Sequence, residues 1–167
     1  YLVTIPLGSN NINKDLSTLP IDEAEAEEVK LKYGDACRES DALEEAESQS
    51  YTTTDGRQID VVTIKNVIEA RISEIIANIS NQIINSDYSG KLLAGIVITG
   101  GGSNMKNIVK AFVKATKIDK VRVANKVNQV VVKTSNASSI TLDSTQTTSV
   151  VSLLLAGTVP CGGDAFD

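Results

Sequence analysis

The 167-residue chain has no histidine and no tryptophan. Without an imidazole there is no histidine general base, no Ser-His-Asp triad and no histidine-ligated metal. Two phenylalanines and four tyrosines are poor material for a platform on which nucleobases stack. Cys37 and Cys161 stand isolated. They are too dispersed for a disulfide framework or a zinc site, and read as packing residues in a reducing cytosol. No apolar run approaches the roughly 18 residues that a bilayer-spanning helix needs. The formal net charge of −5, with no lysine or arginine cluster, argues against nucleic acid as a partner. Tyr1 stands where an initiator methionine would, no signal peptide precedes it, and the chain is expected to be a piece of something longer.

What remains suffices for one globular domain with a core. With 41% hydrophobic and 22% charged residues, the composition is ordinary, and chains of this size bury roughly 68–70% of their unfolded surface. Tyr1–Leu7 reads as a strand, followed by a turn at Gly8–Asn11 and a short helix over Ile12–Leu19 that stops at Pro20. Asp22 and Glu25 have the spacing of a capping box, opening an acidic helix that ends at Tyr33-Gly34, with the glycine in a C′ role. Residues 35–50 are acidic and weakly hydrophobic, a surface excursion. Ser48–Thr54 reads as a strand closed by the turn Asp55-Gly56. The longest element is a helix whose apolar stripe runs Ile64, Val67, Ile68, Ile72, Ile75, Ile76, Ile79, Ile83, Ile84, with Lys65, Glu69, Glu74, Asn78 and Gln82 opposite. Strands are expected near 92–99, 120–124, 129–133 and 139–142. A helix is expected over Asn104–Lys117, and a buried one over Thr148–Gly157. Alternating strands and helices point to a layered α/β architecture.

The most informative stretch is Leu92–Met105, LLAGIVITGGGSNM. An apolar strand, three glycines and a capped helix start form the construction that brings backbone amides against a phosphate or nucleoside. Glycine is needed because a Cβ would block close approach and the turn favours φ > 0. A Rossmann fingerprint wants G-x-G-x-x-G, but Met105 occupies the third glycine position, and no acidic residue follows at the ribose-binding distance. A phosphate-binding P-loop fails, since Asn85 stands where the first glycine before Gly90-Lys91 belongs. A tight strand-to-helix turn with no ligand stays open.

Ile96–Ser103 resembles the adenosine motif of the superfamily that contains actin, the sugar kinases and the heat-shock chaperones. Within it, four further stretches narrow the resemblance to the bacterial cell-division FtsA family. Ile5-Pro6-Leu7-Gly8 through Ile12-Asn13-Lys14-Asp15-Leu16 is similar to the family's IPxGG…ITxDIA segment. Ala24–Gly34 is similar to its AExxKxxYG helix, Ile68–Ile75 to its IIxARxxEI helix, and Val121-Arg122-Val123 to the strand after the glycine turn. The matches follow family order over most of residues 1–125. Three departures stand out. Gly8-Ser9 replaces the usual pair of glycines, and the Asp-x-Gly phosphate loops have no counterpart, since Asp55-Gly56-Arg57-Gln58 lacks their sequence. The family's C-terminal amphipathic membrane helix has none either.

The resemblance implies an α/β, actin-like (ribonuclease H-like) layered fold, second half only. Residues 1–20 and 91–167 would form a subdomain of the type called 2A, carrying the glycine turn, and 21–90 a 2B-like insertion. It implies nucleotide contact by Gly100, Gly101, Gly102 and Ser103, with Glu27 and Lys30 on the 2B helix holding the adenosine. As residues alone, Glu27 and Lys30 equally read as an ordinary i,i+3 surface ion pair. Arg71 and Glu74 would help receive the C-terminal tail of FtsZ, the division tubulin, or else form a solvated helix face. No catalytic or metal residues are expected in this chain. The intact protein would bind ATP with Mg, polymerise, and link FtsZ filaments to the membrane through a tail absent here, in the cytoplasm at the division site. Alone, the chain is expected to hold no nucleotide firmly and to hydrolyse no ATP. Two alternatives stay open: a fragment of a soluble kinase or chaperone ATPase of the same superfamily, and a self-contained binding module.

Overall fold

The computed structural model describes residues 1–38, 49–124, 145 and 147–157. Helices and strands are mixed: α1 (Ser9–Leu16), α2 (Glu23–Tyr33), β1 (Ser50–Thr52), β2 (Gln58–Asp60), α3 (Val61–Asn85), β3 (Ile96–Ile98), a 3₁₀ turn (Gly101–Asn104), α4 (Ile108–Thr116), β4 (Val121–Val123) and α5 (Thr148–Gly157).

α3 is the spine. Asp60 caps it by accepting from the Val62 N–H at 3.0 Å, and at 1.5 Å per residue its 25 residues run about 37 Å. Ile64, Ile68, Ile72 and Ile76, four residues apart, are buried along one side, each contributing about 1.5–3 kcal/mol of burial. Val67 and Ile79 pack half-buried beside them. The stripe expected from sequence is wider than the one buried: Ile84, at the end of α3, is exposed. α1 crosses α3 and buries Ile12 and Leu16. From α2, Ala26 and Val29 join the same core, and α4 adds Ala111 and Phe112.

The antiparallel β1–β2 hairpin pairs Tyr51 with Ile59, and its loop turns at Gly56, φ +84°. Within that loop Asp55 is tied to Thr53 and Arg57. Asp55-Gly56 is therefore a structural turn. The hairpin is pinned to α2 by Glu25, which accepts from the Tyr51 hydroxyl at 2.5 Å and the Thr54 N–H at 3.1 Å. That bond, with burial second, pushes the Tyr51 phenol up to about 12. The same bonds overturn the expected capping box: Asp22 makes no side-chain cap bond, and Glu25 is engaged by the hairpin.

Parallel strands β3 and β4 pair Ile96 with Val121, Val97 with Arg122 and Ile98 with Val123. Several expected boundaries move. Tyr1–Leu7 carries no strand, since no described strand pairs with it, and Leu2 is 98% exposed. The first helix covers Ser9–Leu16 instead of Ile12–Leu19, because the Asn11 side chain accepts from the Gly8 N–H at 2.9 Å and starts it earlier. The strand expected from Leu92 begins at Ile96, after a turn in which the Gly95 N–H bonds the Leu92 carbonyl. The helix expected from Asn104 begins at Ile108, because Asn107 is left-handed at φ +59° and breaks it from the 3₁₀ turn. α5 is where the sequence puts it, but among its described side chains Val151 is buried while Val150, Leu153 and Leu154 are exposed. No described element covers that face. The strands expected at 129–133 and 139–142 lie outside the described residues.

Candidate functional site

The glycine turn is built by three constraints, two local and one from a distant residue. Gly100 has φ +93°, a region that side chains with a Cβ rarely enter. The Ser103 hydroxyl donates to the Gly100 carbonyl at 2.7 Å and its N–H to the same oxygen at 3.1 Å, closing the turn. Thr145 fixes it from outside, its carbonyl accepting from the Gly100 N–H at 3.0 Å and its hydroxyl donating to Asn104 Oδ1 at 2.8 Å.

Opposite the turn lies the C-terminal half of α2. Lys30 is buried, and its Nζ reaches Glu27 Oε2 at 2.5 Å. Glu27 also accepts from Asn13 Nδ2 of α1 at 2.7 Å. The bond to Lys30, then that to Asn13, hold the Glu27 carboxyl below its usual range. Where α2 ends, Gly34 has an ordinary φ of −65°, contrary to the left-handed C′ role expected. It is glycine for space: a Cβ there would overlap the Lys30 carbonyl oxygen and come within 3.2 Å of Met105 Cε.

Between these walls is a cleft of about 440 Å³, lined by Gly101, Gly102, Asn104, Met105 and Lys106 on one side, Glu27, Lys30–Lys32 and Gly34 on the other, and Ser9 and Asn10 at the start of α1. The volume lies within the roughly 300–1,000 Å³ usual for small-molecule sites. Of the residues singled out from sequence, the structure brings Glu27, Lys30, Gly101 and Gly102 to this cleft. Gly100 and Ser103 lie behind it, bonded to each other as the turn's frame. Sequence reasoning missed Ser9, Asn10, Leu31, Lys32, Gly34, Asn104, Met105 and Lys106 as cleft residues. One signal for Leu31 was available: an apolar residue next to Lys30, 73% exposed in the structure, on a helix of acidic character.

Arg71 and Glu74 lie on α3, away from the cleft lining. Arg71 Nε and Nη2 donate to Asp15 Oδ2 and Oδ1 at 2.5 and 2.8 Å, a bidentate pair between α3 and α1, and Nη1 donates to Glu74 at 2.5 Å. The bond to Asp15 raises the Arg71 pKa above its already high value. Among the described residues no group of three or more Cys, Asp or Glu could hold a metal ion, and no helix is long and apolar enough to cross a membrane.

The comparisons with known proteins bear on the whole of this arrangement. The family model described as Cell division protein FtsA matches residues 1–141. The FtsA of Neisseria meningitidis is 37% identical over 111 residues, covering 64% of this chain and 26% of its own length. The Helicobacter pylori protein is 36% identical over 114 residues, 65% of this chain and 23% of its own. That of Bacillus subtilis is 33% identical over 107 residues, 63% and 24% respectively. The chain thus spans about a quarter of the length of these relatives. A family match over residues 1–141, running through α1, α2, α3 and the glycine turn in order, places the chain in the FtsA family of cell division proteins.

Proposed function

We propose that this chain supplies the nucleoside-facing half of an actin-like nucleotide cleft, as the second half of an FtsA-type body. Residues 1–20 and 91–167 form the 2A-type part and 21–90 the 2B-type insertion. The observation that carries the reading is the cleft itself, where the Gly101-Gly102 backbone faces the Glu27–Lys30 pair across a space of nucleoside size. Glycines let a flat ring or a ribose approach the main chain. A carboxylate and an ammonium side by side offer an acceptor and a donor to vicinal sugar hydroxyls.

The fit covers the nucleoside only. ATP, with its Mg, would be held across both halves of the intact protein, and the triphosphate takes its partners from loops of the Asp-x-Gly type, for which the Asp55 turn is no substitute. The chain alone therefore lacks the groups that stabilise charge in phosphoryl transfer. ATP incubated with the purified chain should release no phosphate above background; steady release would contradict the assignment of this chain as half a cleft.

By resemblance to the family, the intact protein would polymerise and link FtsZ filaments to the membrane at the division site. An FtsZ tail peptide binding this chain would meet Arg71 and Glu74 on α3. Because Asp15 and Glu74 already occupy the guanidinium, the peptide's carboxylates would have to displace Glu74, whose side chain is the more exposed of the two. A peptide titration against Glu74→Ala tests this. Tighter binding by the variant supports competition, and unchanged binding removes Arg71 from the interface.

A further inference from the structure

The two walls of the cleft come from segments far apart in the chain and are joined by a strap beside the site. Asp35 and Lys106 form a parallel β-bridge, and the Ala36 N–H donates to the Lys106 carbonyl at 2.9 Å. The strap closes on one carboxylate. Asn107 Nδ2 donates to Asp35 Oδ1 and Oδ2 at 2.9 and 3.0 Å, the Cys37 N–H donates to Oδ1 at 3.0 Å, and Lys106 Nζ lies 3.4 Å from Oδ2. The Asp35 side chain is only 13% exposed.

Asn107 is held there at a local disadvantage. It is left-handed at φ +59°, a conformation tolerated by asparagine better than by most residues. It stands at the start of α4 but makes no cap bond, because its amide is turned to Asp35. A helix gives up its usual N-cap stabilisation at this point, and what it gains is a link to the other wall. Lys30 lies one turn before this strap on α2, and Gly102 lies five residues before Asn107. Gly34 and Met105 approach so closely that a Cβ on residue 34 would reach within 3.2 Å of Met105 Cε.

We propose that Asp35 and Asn107 are a positioning pair that sets the width of the cleft, holding the wall of Glu27 and Lys30 at a fixed distance from the glycine turn. The functional consequence rests on the nucleotide reading above; the geometry does not. A ligand that touches both walls gains from each only if the spacing is preset, since a loosened wall must be ordered at the moment of binding.

The pair is reciprocal, so it can be broken and rebuilt. Asn107→Asp places two carboxylates face to face, which cannot both stay ionised at such a distance without repulsion. The double variant Asp35→Asn with Asn107→Asp restores a carboxylate–amide pair in the opposite sense. Hydrogen exchange on the whole chain, without nucleotide, is the readout. In N107D the amides of Gly101–Lys106 and Leu31–Gly34 should exchange about tenfold faster, with Ile64–Ile76 unchanged, and the double variant should return them most of the way. Exchange in N107D equal to the parent overturns the proposal. Should N107D loosen Ile64–Ile76 as well, the double variant decides: no recovery overturns the pair. In a family protein carrying both halves of the cleft, ATP affinity should fall about tenfold in N107D and recover in the double variant. Affinity unmoved while exchange rises overturns the positioning role. A parent that binds no ATP at all sinks the nucleotide reading instead, leaving the exchange result to judge the strap.

Discussion

Two ion pairs of the same sequence spacing do different work in this molecule. Glu27–Lys30 on α2 and Arg71–Glu74 on α3 are both i,i+3 pairs closed at 2.5 Å, and each takes a third partner from α1, Asn13 for the first and Asp15 for the second. Around Arg71 the third partner is a carboxylate that engages two guanidinium nitrogens, so the arginine clamps two helices together. Around Glu27 it is a neutral amide, and the pair lies beside a cleft whose far wall includes the Gly101-Gly102 backbone. Spacing is identical; surroundings decide. A planar, forked cation with all three nitrogens bonded to carboxylates is a tie, while a lysine whose bond to Glu27 engages one of three ammonium donors can still offer hydrogen bonds to a ligand.

The largest change should come from beneath both regions. Ile68 is fully buried in α3. Ile68→Ala should cost about 2–5 kcal/mol in a urea titration, loosening α1 and both pairs at once. Arg71→Ala separates them. It leaves Asp15 and Glu74 as neighbouring like charges, so the melting temperature should fall by about 2–4 °C, while any nucleotide affinity stays as it was. Lys30→Met reverses the pattern. It keeps the buried aliphatic stem and removes the charge, so the melting temperature should move little. In a protein carrying both halves of the cleft, ATP affinity should drop about tenfold. Equal effects of the two substitutions on affinity would erase the distinction. The smallest effect is in acid. Glu27 has a carboxyl pKa lowered from 4.5, by Lys30 first. A group depressed on folding contributes stability that is present above its unfolded value and is lost as pH falls below 4.5 through the lowered one. The side chain is about half exposed, so the loss should be only about 0.3–0.5 kcal/mol. Lys30→Met should flatten that part of the stability–pH curve.

How far the sequence could be read depended on whether a signal was local. The four-residue spacing of Ile64, Ile68, Ile72 and Ile76 is local, and α3 lies where that spacing says. The Asp55-Gly56 turn and the glycines at 100–102 are likewise legible, because a positive φ at Gly56 and Gly100 is a demand on one residue. Local rules failed where a distant partner outbid them. Asp22 and Glu25 have capping-box spacing, but the hairpin's Tyr51 and Thr54 draw Glu25 away. Gly34 looks like a left-handed helix end, yet its φ is ordinary, and it is glycine because a Cβ would overlap the Lys30 carbonyl oxygen, with Met105 crowding the other side. Asn107 breaks the expected Asn104–Lys117 helix to reach Asp35. In the candidate site Glu27, Lys30, Gly101 and Gly102 were found through resemblance and spacing. Ser9 and Lys106 were not, since only the packing of α1 and the strap against the turn brings them to the cleft. Tyr1–Leu7 shows the opposite failure: β-branched residues make a strand only when a neighbouring strand accepts their hydrogen bonds.

The most direct test of the central claim is a titration of the isotopically labelled chain with ATP, followed by amide chemical shifts. Weak, millimolar binding should move Lys30, Leu31, Gly34, Gly101 and Gly102 together and leave Arg71, Glu74 and the exposed face of α5 where they were. Shifts confined to α3 or α5, or none at any of the five cleft positions, would contradict the assignment of this cleft to a nucleoside.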